Sequence, residues 1–378
     1  MTSTGRITPS IFSTAFKEWC FCQYKIDCLQ NKNWLECPAC AYQQHSSHVD
    51  GNCKLYHYKS SGKRTRSDFY DGLFIVQDSK VKDYIDELYD RKLGKVEKDV
   101  RCGGDWSAAR NTARNKKSLD VTGLEVMSCR HQLGQKALNM HQGELFGYSL
   151  YLIKHHMLPN NVKFIFADVM CKLRKFIERV DPETAKKFTG ALSVMHAKGH
   201  SLDCQFIWDG EWVDGTGRST GEETEQIFSF LSRFCNTTKY QKPENREETL
   251  TEMILFWNKR KIEVQAEQLV KKYNKVQGDL SKHQQDGNNA LDKFEIQPNF
   301  AELKNEIRDI AANVSIPPTS SLSKSDQILL LFHDLKGHVS NNEFGFLETI
   351  CPELPDLSAI NIQILKRKRK RRSKFFAN

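Results

Sequence analysis

The chain has 378 residues, 39% of them hydrophobic and 27% charged, enough for one large domain or two ordinary ones with a real core. No apolar run is longer than that of Ile328–Phe332, far short of the ~18 residues of a membrane span, and the opening MTSTGRITPSIF lacks a signal-peptide pattern, so a membrane protein and a classical secreted protein are both excluded as expectations. Its 56 Lys and Arg against 47 Asp and Glu give a net charge of +9, but Lys366–Arg372 is a pure basic run and Lys374 adds to it, so the rest carries +1.

In chain order, residues 1–45 form a cysteine-rich head, expected to be a small module of its own. Cys20, Cys22, Cys28, Cys37 and Cys40 follow a C-x-C-x5-C-x8-C-x2-C spacing, and four thiolates of this set would close a tetrahedral Zn²⁺ site. Without an export signal the thiols belong in a reducing compartment, where clusters hold metal more often than disulfides; a reduced, partly buried group of thiols is the alternative.

Residues 46–240 alternate strand and helix patterns, the mark of a mixed α/β domain. His48–Tyr58 reads as its first strand, and Ser60–Ser67 with Lys80–Asp105 as a charged insertion. Leu119–Cys129 reads as a strand, and Gln132–His156, with Leu133, Ala137, Met140 and Leu145 at helical spacing, as one or two helices. Val162–Val169 is the most apolar strand and runs through Asp168 into a helix over Met170–Val180. Ala191–Trp208 reads as a further extended segment and Glu222–Phe234 as a helix. Beyond residue 245 the pattern predicts a long amphipathic helix over Thr249–Gly278, then linkers at Gln284–Asn289 and Pro317–Ser325. The expected division is therefore a head (1–45), a core (46–240), a helical extension (245–310) and a linker with a basic tail (311–378).

Three acidic positions stand where chemistry can use them. Asp50 opens the first strand, Asp168 ends the most buried one, and Glu222, Glu223 and Glu225 open a late helix. Each has an ordinary alternative: an Asp before a helix caps it, and Glu at a helix start complements the dipole. Their order along the chain is that of a ribonuclease H-like core. There, carboxylates from two neighbouring strands and a helix converge on two Mg²⁺ or Mn²⁺ ions that activate water or a DNA 3′-hydroxyl against a phosphodiester.

Seven segments in succession carry a resemblance. They are CPAC (Cys37–Cys40), DGN (Asp50–Asn52), LDVTGLEVMSCRH (Leu119–His131), GELFGYSLYLI (Gly143–Ile153), FADVMCKL (Phe166–Leu173), HAKGHSLDCQ (His196–Gln205) and GEETEQIFS (Gly221–Ser229). Together they resemble the KDZ (Kyakuja–Dileera–Zisupton) transposases, eukaryotic cut-and-paste enzymes with a DDE triad. The resemblance implies Asp50 and Asp168 as the first two metal-binding acids and Glu225 as the third, with Glu222 as the other candidate. It implies that His196, His200 and Cys204 belong to a His-rich insert that shapes the site, contacts DNA or binds zinc, packing being the alternative.

Thr220, Gln226 and Phe228 depart from the Asp, Arg and Trp usual in the family. Family members are generally longer, so the chain resembles a truncated copy or derivative. The resemblance leaves two functions open: a DDE transposase, or a domesticated or decayed DNA- or chromatin-binding protein. It also implies DNA as partner and a homo-oligomeric state. The run Lys366, Arg367, Lys368, Arg369, Lys370, Arg371 and Arg372 reads as an address for the nuclear import machinery, hence a nuclear protein, or as a nucleic-acid patch; a solvated end is the alternative.

Overall fold

Strand β1 (Ser46–Asn52) is the strand around which the rest is organised, because it pairs in opposite senses on its two edges. In the computed structural model the described residues are 8–90, 117–217, 219–294 and 305. Ahead of β1 comes helix α1 (Pro9–Leu29); after it come β2 (His57–Tyr58), helix α2 (Asp78–Asp90), and strands β3 (Leu119–Val121), β4 (Gly123–Cys129) and β5 (Gly134–Met140). Next are helix α3 (Phe146–Leu152), strand β6 (Phe164–Phe166), helices α4 (Met170–Val180) and α5 (Pro182–Ala185), and strand β7 (Thr189–Ala191). Helices complete the described order: α6 (Val194–Ala197), α7 (Leu202–Trp208), α8 (Glu223–Leu231), α9 (Cys235–Thr238), α10 (Pro243–Glu263) and α11 (Gln265–Phe294).

Five strands form one mixed sheet in the order β5-β4-β1-β6-β7, and β2 with β3 form a small separate ladder. β5, β4 and β1 are antiparallel neighbours, whereas β1, β6 and β7 run parallel. The parallel half needs crossover connections, and α3 and α4 supply them. The described residues divide into two units. One holds residues 8–199 and 208–272 where described, including both sheets; the other holds 200–207, 273–294 and 305. Within the second, the Gln205 side-chain amide donates to the His200 carbonyl.

In the first unit the alternation of β4 sends Leu124 and Val126 into a cluster with Ile227 and Leu231 of α8 and Leu250 and Ile254 of α10. Leu150, Met170, Leu173, Phe176 and Ile177 of α3 and α4 are also buried. α10 is joined to β5 by Asn258, whose side chain accepts from the Gly134 N–H at 3.0 Å and donates to the Gly134 carbonyl at 2.7 Å. Gly134 permits this close approach, since a Cβ there would lie 2.7 Å from Ile254 Cδ1 and displace that side chain.

Several sequence expectations are corrected. Gly134–Met140 is a strand, not helix. A tight turn with Gln132 at φ 67° folds it back onto β4, and a register irregularity at Met127/Ser128 shifts the ladder. Ala137 to Met140 are buried on both faces, so their apolar spacing imitates a helical one. Lys80–Asp90 is helical, with Val81 and Ile85 buried one turn apart; residues 91–116 lie outside the described residues. Ala191–Trp208 is extended only at its start and then helical. Gln284–Asn289 lies inside α11, because Gln and Asn tolerate helix and no proline interrupts. Pro317–Ser325 and Lys366–Arg372 lie outside the described residues. No helix among those described is long and apolar enough to cross a membrane.

Candidate active site and metal centre

Side chains alternate along a strand, so Ser46, His48, Asp50 and Asn52 share one face of β1. The parallel register sets His48 beside Phe166. Asp50 and Asp168 each follow two residues later, which puts the two acids at equivalent positions where the neighbouring strands end. α8 packs across β1 and β4, carrying Glu225 in its first turn.

His48 fixes how α8 meets the sheet. It is fully buried, and the Thr224 backbone N–H, which can only donate, points at His48 Nδ1 at 3.3 Å. Nδ1 is therefore an acceptor, and Nε2 carries the proton toward Asp168 Oδ1 at 3.6 Å. The Thr224 hydroxyl is 2.6 Å from Nδ1, and the Ser193 hydroxyl donates to Asp168 at 2.8 Å. On the other side His196 Nε2 lies 3.1 Å from Asp168 Oδ2, and its Nδ1 3.4 Å from Glu222 Oε2. The Met195 N–H donates to the second Glu222 oxygen at 2.9 Å.

Ligand atoms of Asp168, His196 and Glu225 all lie within 4.8 Å of one another, so this group can hold a metal ion. Asp50 is partly accessible but surrounded by protein. Burial first, and then the negative charges of Asp168 and Glu225, hold its carboxyl well above the usual range. Burial acts the same way on Asp168, yet the hydrogen bond and charge of His48, with His196 and Ser193, keep it below that range. The hydrogen bond to Glu222, opposed by burial and helped by Asp168, raises His196. The two glutamates thus differ: Glu225 faces Asp168 and His196, while Glu222 is engaged by His196 and a backbone N–H. Gly221 leads into them at φ 69°, and a Cβ there would meet the Phe166 ring carbon at 2.4 Å, so glycine is required by both conformation and space.

Gln226, Arg233, Phe256, Trp257, Arg260 and Lys261 line an open cavity of about 660 Å³ between α8 and α10, with Glu263 as its acid. His200 and Cys204 belong to the second unit.

A second group is sulfur-rich. Cys37 and Cys40 flank a tight turn closed by the Cys40 N–H on the Cys37 carbonyl at 2.9 Å. Cys129 ends β4 and His131 lies in the turn after it. His131 Nδ1 is 3.3 Å from Cys40 Sγ and 3.5 Å from Cys37 Sγ, and the ligand atoms of all four residues lie within 4.8 Å of one another. The Gln265 amide donates to Cys37 Sγ at 3.1 Å. Hydrogen bonds from Cys129 and Cys40, and then from His131 and Gln265, hold Cys37 far below the usual thiol range against its burial. Burial pushes Cys129 well above that range. Three thiols crowded against one imidazole in this way are an arrangement a dication would relieve.

Cys20, Cys22 and Cys28 are not in this group. They lie on α1, where a two-residue step turns Cys22 to the face opposite Cys20, so the helix cannot aim them at one ion. Cys129 and His131 take their places. Their C-x-H spacing within SCRH was the available signal, read by itself as the end of a strand. Ser193 and Thr224 carried no signal, being single polar residues in a loop and in the first turn of α8.

A family model described as Kyakuja-Dileera-Zisupton transposase matches residues 43–258. No curated protein and no solved structure matches the chain.

Proposed function

The chain belongs to the KDZ transposase family, and on that premise we propose that it is a DNA transposase, or a protein derived from one, that cleaves and joins phosphodiesters on a ribonuclease H-like core. The observation that carries this reading is the grouping of Asp168, His196 and Glu225, whose ligand atoms lie within 4.8 Å of one another, with Asp50 on the parallel neighbouring strand. Three antiparallel strands followed by two parallel ones support the core assignment.

The donors fit Mg²⁺ or Mn²⁺, since hard carboxylate oxygens suit these ions, and a dication would offset both the burial that chiefly raises Asp50 and the negative charges of Asp168 and Glu225 that add to it. Bound there, such ions supply charge stabilisation and a nucleophile activated at neutral pH. Asp50, Asp168 and Glu225 would hold them. His48 and Ser193 orient Asp168, and Glu222 holds His196 against it. The Arg233, Arg260 and Lys261 side chains of the cavity between α8 and α10 suit a DNA backbone. For the sulfur-rich group we propose Zn²⁺. A nuclear location, import through Lys366–Arg372 and assembly into oligomers belong to the same reading.

The alternative, a DNA- or chromatin-binding derivative without cleavage, draws support from Gln226. It lines the cavity where the family usually has Arg, and a neutral amide makes no charge-assisted bond to phosphate. The test is Mn²⁺-dependent nicking and joining of terminal-inverted-repeat DNA by the full chain. Asp168→Asn and Glu225→Gln are expected to abolish the metal-dependent products while DNA binding persists. Glu222→Gln, which acts through His196, is expected to weaken metal affinity about 10–100-fold. A wild-type chain indistinguishable from Asp168→Asn would leave only the binding reading.

A further inference from the structure

Four soft or borderline donors, three thiols and one imidazole, converge at the end of the sheet where β1 enters. Cys40 lies six residues ahead of β1, and Cys129 is the partner of Ser47 in the β1–β4 ladder. The two halves of the group come from segments about ninety residues apart, yet no long loop is needed to bring them together, because the ladder already does so. Gln265, the first residue of α11, adds a hydrogen bond to Cys37 from a third segment.

We propose that Cys37, Cys40, Cys129 and His131 form a closed, structural zinc site that clips the segment before β1 to the β4–β5 turn, with Gln265 as a positioning residue for Cys37. This rests on zinc being the ion at the sulfur-rich group. Three Cys and one His complete a tetrahedral shell, leaving no position for water or substrate, so the site serves architecture and not catalysis. Its role is to fix the entry of β1, four residues ahead of Asp50, and thereby the strand that carries the first acid. Zinc of this kind contributes folding free energy directly. The carboxylate site, with its oxygen donors, would take a different ion, and the two should load independently.

The test uses the purified full chain, with zinc content by elemental mass spectrometry and the absorption of Co²⁺-substituted protein. The expected results are one zinc per chain and a tetrahedral cobalt spectrum with intense thiolate charge transfer. A Cys20→Ser/Cys22→Ser/Cys28→Ser variant should keep both. Cys129→Ser should lose the zinc, and Gln265→Ala should keep full stoichiometry while binding zinc about 10–100-fold more weakly in a chelator competition. Should Cys129→Ser fail to fold, the wild-type cobalt spectrum and the triple variant still decide. Zinc lost from the triple variant, or retained in Cys129→Ser, would overturn this ligand set while leaving a zinc protein. A wild-type chain that binds neither zinc nor cobalt would overturn the zinc assignment itself.

Discussion

Glu125 lies on β4 opposite Gly51, on the face of the sheet away from His48 and Asp50. The Ser149 hydroxyl donates to it at 2.5 Å, but burial outweighs that bond and pushes its carboxyl up to about 8, with the Glu144 charge adding to the effect. In the unfolded chain the same group ionises near 4.5. Between these values the folded protein holds a proton the unfolded chain has released, so stability falls as pH rises from about 4.5 to 8, by up to ~1.4 kcal/mol per pH unit. Glu125→Gln keeps the shape and cannot ionise. It should match the wild type near pH 4.5 and be the more stable protein at pH 8 in urea unfolding. Parallel decline of both proteins across that window would refute the assignment. Single residues were unevenly legible. Asp168 could be found because it ends an apolar strand, where a carboxylate needs a reason. His48 could not, because what makes it matter is Thr224, 176 residues further on.

At the scale of elements, α10 shows what an amphipathic pattern leaves out. Its apolar stripe was readable only in part: Ile254 is fully buried, as is Leu250 ahead of it, but the helix expected over Thr249–Gly278 is divided at Val264, and Leu269, Val270, Tyr273 and Val276 are exposed on α11. The first turns of α10 are buried as well, although they are charged. Arg246 is 1% exposed, donating to Asn139 Oδ1 and to the Leu55 carbonyl at 2.7 Å each. Glu247 and Glu248 receive Arg64 and Arg66, and Lys17 of α1 reaches Glu248 at 3.2 Å. No periodicity announces such a network, since PENREE looks like a solvated helix start. Arg246→Ala strips two buried acceptors of their donor and leaves Glu247 less compensated, so a loss of about 3–5 kcal/mol is expected. Arg260→Ala, exposed on the same helix, should stay within about 0.5 kcal/mol. Urea midpoints of the two variants compare them directly, and equal midpoints would mean the buried network is idle. The hairpin β4–β5 was misread for a related reason: burial on both faces of β5 erases the alternation that marks a strand.

For the whole molecule, single elements such as β4, α4 and α8 were legible because each is local, while the partners that join distant pieces were not. The expected boundary at residue 45 follows composition, which changes sharply there. Packing does not respect it: Lys17 of α1 binds α10, Phe21 stacks on Phe69 at 5.4 Å, and Cys37 and Cys40 meet Cys129 and His131. The cysteine-rich head is thus built into the first unit, with its thiols divided between a helix and a metal-competent corner of the sheet.

That division bears on how the protein can be cut. The window matched by the family, residues 43–258, contains every acid of the candidate site and yet begins after Cys37 and Cys40 and stops within α10. A fragment with those limits would inherit two donors of a four-donor corner, Cys129 and His131, and would lack Gln265 and the last turn of α10. Expressed alone, it should take up no stoichiometric zinc and aggregate or unfold at lower urea than a fragment spanning residues 8–272; a well-folded, zinc-free 43–258 would show that the corner is dispensable. The minimal working piece is therefore expected to reach from Cys37 to Gln265, beyond the limits of the recognisable sequence.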